Sequence, residues 1–82
     1  MSYAYNLERL ERMSGMDGNT RATLEAYYDA LPEKERLAIL DEAGKAVREN
    51  LKNVPAPFAP EFSFSRFLIA IDRHRKDGQV AA

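Results

Sequence analysis

Cysteine is absent from these 82 residues, and with it go disulfide staples and thiolate metal sites. That absence fits a reducing compartment, so a cytoplasmic setting is expected. Tryptophan is missing too, and there is a single histidine. No run approaches the 18 or so consecutive apolar residues of a membrane span. The N-terminus lacks a basic region followed by an apolar one, so no signal peptide is expected either. Neither sign of charge dominates: 12 Lys and Arg stand against 13 Asp and Glu, for a net −1. The balance is −2 over residues 1–31 (3 basic, 5 acidic), 0 over residues 32–53 (5 and 5) and +1 over residues 54–82 (4 and 3). A strongly basic nucleic-acid binder or an acidic mimic of DNA would be more lopsided. The sequence also lacks a glycine-rich phosphate loop, paired carboxylates on an apolar background, and a Ser or Thr with a base in a recognisable pattern. No enzyme activity, cofactor or metal is therefore expected. His74 with Asp72 and Asp77 is a poor zinc set. It reads as a solvated histidine near a helix C-terminus.

What is present is helical periodicity. A chain of this length makes one domain with a thin stability margin. The segment from Leu31 to Asn53 reads as its longest and central helix, over about residues 32–53. Pro32 suits the first helical position, Glu33 and Glu35 favour the positive end of the macrodipole, and Asn53-Val54-Pro55 stops the helix. Leu37, Leu40, Gly44, Val47 and Leu51 form one apolar row, with Ile39, Ala43 and Ala46 as a second row beside it. Together they cover about half the circumference, more than the roughly 100° stripe of an ordinary surface helix. Such a helix can meet two neighbours, or one neighbour and a partner. Gly44 in the middle of the row costs about 1 kcal/mol relative to alanine, and the spacing predicts that something bulky approaches it.

Shorter helices are expected on either side. A first, over about residues 2–13, has Ser2 or Asn6 as N-cap and ends at Ser14-Gly15, with Gly15 left-handed. A second, over about 19–30, is capped by Asn19 or Thr20 and joins the long helix through a tight corner. Three prolines in VPAPFAP hold residues 54–61 extended, with Phe58 tucked into the core. A last helix, over about 62–77, starts at Pro60 or Ser63 and packs through Phe64, Phe67, Leu68 and Ile71; residues 79–82 should fray. The fold class is thus all-α: a bundle of three to four helices around a long central one. The expected core is Leu7, Leu10, Leu24, Tyr27, Leu31, Leu37, Leu40, Val47, Leu51, Phe58, Phe64, Phe67, Leu68 and Ile71.

Leu31-Pro32-Glu33-Lys34-Glu35-Arg36-Leu37 resembles the opening of the DNA-binding region of bacterial sigma factors, where such a run starts a helix-turn-helix. Val54-Pro55-Ala56-Pro57 stands where the second helix of that motif belongs, so no function follows from the resemblance.

With chemistry absent, function is expected to be binding: a small protein acting through protein–protein contacts, such as an adaptor, an accessory subunit or an inhibitor of the phage or mobile-element type. On a helical wheel Arg66, Ile69, Arg73 and Lys76 fall together, opposite the phenylalanine face of the last helix. An isoleucine among cations suits an interface centre, and Tyr28 is a further interface candidate. The partner would be another protein, with a homodimer through the wide apolar face of residues 37–51 as a second option. A nucleic-acid-binding regulator using the basic last helix is the alternative function.

Overall fold

The computed structural model describes residues 6–81, and the side chains of residues 6–78. Helix α1 spans Leu7–Ser14, α2 Gly18–Asp29, α3 Glu33–Asn50 and α4 Ala59–Ala81, with 3₁₀ turns at Leu51–Asn53 and Ala56–Phe58. No strand occurs among the described residues, and the small all-α bundle expected from the periodicity is what the chain forms.

The local signals act mostly where the sequence places them. The Asn6 side chain caps α1 by accepting from Arg9 N at 3.0 Å. The alternative cap, Ser2, lies outside the described residues. Gly15 ends α1 at φ 71°, left-handed backbone that favours glycine. Two i,i+4 pairs form on exposed faces, Glu8–Arg12 at 3.1 Å and Asp41–Lys45 at 3.1 Å. Pro32 caps α3 and Glu33 is its first helical residue, one position later than expected. The regular helix closes at Asn50, and a 3₁₀ turn carries the chain on to Asn53.

Helix α2 is capped by Asp17, not by Asn19 or Thr20: Asp17 Oδ1 accepts from Thr20 N at 2.8 Å. That hydrogen bond holds the Asp17 carboxyl below its ordinary value of 3.8. Because the folded value is the lower one, the cap's charge contributes stability above pH about 4 and loses it as pH falls through the folded value. The stability advantage of wild type over Asp17→Asn is expected near neutrality and should close in acid. Urea melts across that range check it, and a gap independent of pH would reject the charge's role.

Two expectations about the last third are corrected. Residues 54–61 are not an extended strap. Only Val54 and Pro55 are extended; Ala56–Phe58 makes a 3₁₀ turn and α4 begins at once at Ala59. Prolines favour this arrangement because Pro60 falls in the first turn, where no intrahelical N–H is needed. Ser63 therefore lies inside the helix. At the other end α4 continues through Gly78 to Ala81 instead of stopping at residue 77.

The larger correction concerns which helix is longest and central: α4, with 23 residues against 18 in α3. Helix α4 packs against α1, α2 and α3, whereas those three touch one another only marginally. The core confirms it: Leu10, Leu24, Ile39, Ala43 and Met16 gather with Leu68, Ala70 and Ile71 of α4 in one cluster. Leu10, Leu24, Leu68, Ile71 and Ser65 are fully enclosed, and the Ser65 hydroxyl is satisfied by Phe62 O at 2.7 Å. Glu61 is also buried, and its carboxylate clasps α1 to the start of α4. Glu61 Oε1 receives Arg9 Nη1 at 3.0 Å, while that guanidinium also reaches Pro57 O at 3.3 Å and lies 4.2 Å from the Phe58 ring centroid. Phe58 is thus half-covered by a cation rather than sunk in the core. Leu7, Leu37, Leu40 and Leu51, all expected inside, are exposed.

Candidate functional site

Helix α3 turns its second row inward. Ile39 and Ala43 are buried and Ala46 is half-buried, facing α4. Small residues there, met by Ala70, let the two backbones approach closely. The larger row is left over: Leu37 is 56 % exposed, Leu40 47 % and Leu51 39 %, with Gly44 and Val47 half-exposed between them. Their positions alternate in steps of three and four residues, the spacing of a seam that one helix presents to another. Nothing bulky sits on Gly44. A Cβ there would meet only the Arg48 guanidinium of its own helix, at 3.2 Å.

The residues expected to form a cationic outer face are placed differently. Arg66, Ile69 and Arg73 do come together, but at the junction of α4 with α3, lining a shallow cleft of about 60 Å³ with Glu42, Ala43, Ala46 and Ala70. Ile69 packs against the core. Arg73 pairs with Glu42 at 3.6 Å, and Arg66 lies 5.3 Å from the Phe62 ring centroid. Lys76 turns to Asp72 at 2.9 Å. Tyr28 is elsewhere, its ring set edge-on against Phe67 at 4.9 Å. The cleft is well below the roughly 300 Å³ at which ligand pockets begin.

His74 is not the solvated residue expected. Its Nδ1 hydrogen-bonds the Tyr27 hydroxyl at 2.7 Å and its Nε2 stands 3.3 Å from Glu35 Oε1. One side chain of α4 thereby links α2 to α3, through a hydrogen bond to Tyr27 and a close approach to Glu35. No sequence signal could have named these partners, which lie 47 and 39 residues away.

A second, more open cleft of about 400 Å³ is lined by Arg9, Arg12, Met13 and Phe58. Its cations are engaged, Arg9 with Glu61 and Arg12 with Glu8. Among the described residues no group of His, Asp and Glu could hold a metal ion, and no helix is long and apolar enough to cross a membrane. The exposed row of α3 is the feature the fold does not use. No protein-family model, curated protein or solved structure matches this chain.

Proposed function

We propose that the chain is a small binding protein that acts through protein–protein contacts, with the outer row of α3 as its docking surface. The observation that carries this reading is the exposure of Leu37 and Leu40 on α3 and of Leu51 at the start of the 3₁₀ turn that continues it. Scattered exposed leucines need no explanation, whereas a contiguous apolar strip rimmed by charge marks an interaction site. Lys34, Asp41, Lys45 and Arg48 form that rim on one flank. The strip, and not the Arg66–Arg73 row, is favoured because Arg73 and Ile69 are already engaged within the fold. An adaptor, accessory subunit or inhibitor working in the cytoplasm fits this description.

A photoreactive benzoylphenylalanine tests it. Placed at Leu40 in the cells that make the protein, it should yield discrete protein adducts. Placed at Glu49, on the charged back of the same helix, it should yield few. Equal adducts at both positions, or none at either, would remove the reading.

A further inference from the structure

Resting on α3 as a docking surface, we propose that its occupant is a second copy of this chain, its α3 running antiparallel across the first. The row supplies the apolar half of the argument. Set antiparallel so that Leu40 lies level with Leu51 of the other copy, the seam places Gly44 level with Val47, and each contact recurs by the twofold axis. The missing side chain at Gly44 then receives the valine, once the Arg48 guanidinium that lies over it swings out to the other copy. A parallel pairing would set Gly44 on Gly44 and leave a gap at the centre of the seam.

Charge supplies the other half. Beside the seam, on the flank away from α4, stand Asp41 and Arg48. In the register just described Asp41 of each copy faces Arg48 of the other, so two opposite-charge pairs close the interface. Shifting one copy by a heptad would put Asp41 against Asp41 and Lys34 against Arg48. A parallel dimer would leave Arg48 beside Ala43. Asp41 holds only an exposed pair with Lys45 of its own helix, which leaves its carboxylate open to a second cation, and Arg48 is available for this role. It joins none of the ion pairs among the described residues, and its guanidinium folds back over bare Gly44 instead. Seam length is adequate because α3 is already held in place by α4. From Leu37 to Leu51, where the 3₁₀ turn takes over from α3, the row runs about 21 Å, too short to form a coiled coil from unfolded peptides, but here the helix pays no folding cost on association.

Sedimentation velocity from about 10 µM to about 1 mM tests the proposal, because a symmetric dimer must follow mass action. Wild type should pass from monomer to dimer over that range. Asp41→Arg and Arg48→Asp should each weaken the dimer about tenfold by setting like charges together twice. The double variant Asp41→Arg/Arg48→Asp should restore it, since the reversed pairs attract again. Circular dichroism checks that each variant keeps its helices, which is expected for exposed positions. A wild type that stays monomeric at about 1 mM overturns the inference, and so does a double variant no better than the singles. The docking reading is judged separately: adducts to a foreign protein at position 40 would keep it while the second copy is discarded.

Discussion

Leu68→Ala should lower stability by about 3 kcal/mol, the ordinary cost of emptying a fully enclosed leucine site plus the cavity left behind. Leu68 is 0 % exposed and belongs to the core cluster that also holds Leu10 of α1, Leu24 of α2 and Ile39 of α3. A domain this small carries on the order of 4–12 kcal/mol in total, so the loss is a large share, and the melting temperature should fall by about 12–24 °C. Leu40→Ala, the same chemical change at a site 47 % exposed, should cost no more than about 1 kcal/mol when measured on dilute monomer. Thermal melts of the two variants side by side make the comparison. If Leu40→Ala were as damaging as Leu68→Ala, the row on α3 would be core after all, and the docking surface would be lost with it.

Arg9→Ala should be the most damaging change at a charged position, at about 2–3 kcal/mol. Its partner Glu61 has a side chain only 7 % exposed, whereas that of Arg9 is 31 % exposed. Removing the cation strands a buried carboxylate, whose remaining contacts are a long hydrogen bond from Asn6 N at 3.4 Å and the positive end of α4. Fully buried pairs broken in this way cost about 3–5 kcal/mol, and the solvent reaching Arg9 lowers the figure. Removing both charges while keeping both shapes, as Arg9→Met with Glu61→Gln, should recover much of the loss, because no orphan charge remains. Urea denaturation of the two singles and the double gives the coupling. An Arg9→Ala variant within about 0.5 kcal/mol of wild type would show that the clasp contributes nothing to stability.

Much of this fold is legible from the residues, and its largest failures, which concern packing, have a common cause. Caps and breakers are local, so Asn6, Gly15 and the Val54-Pro55 break act as their chemistry dictates. Periodicity likewise reveals that α3 has two apolar rows. It does not reveal which row meets a neighbour. Bulk suggested the leucines, but close approach of two helices favours alanine, and Ala43 and Ala70 are buried while Leu37 is not. The Arg66, Ile69 and Arg73 row was misplaced for a related reason. A helix touched on several sides has little outer face, so its polar residues lie at junctions and find partners there, as Arg73 finds Glu42. The link from Tyr27 through His74 to Glu35 joins three helices that no local pattern relates.

The central place of α4 also bears on how the chain acquires its structure during synthesis. The helix that gathers the core is made after the three helices it gathers. Until Leu68 and Ile71 have left the ribosome, Leu10, Leu24 and Ile39 have nothing enclosed to join. Short helices without a packed face are marginal in water, so α1, α2 and α3 would flicker while they wait. Folding is then deferred to one late event, and in that interval the leucines of α3 are open to any chaperone or protease that reads exposed apolar chain.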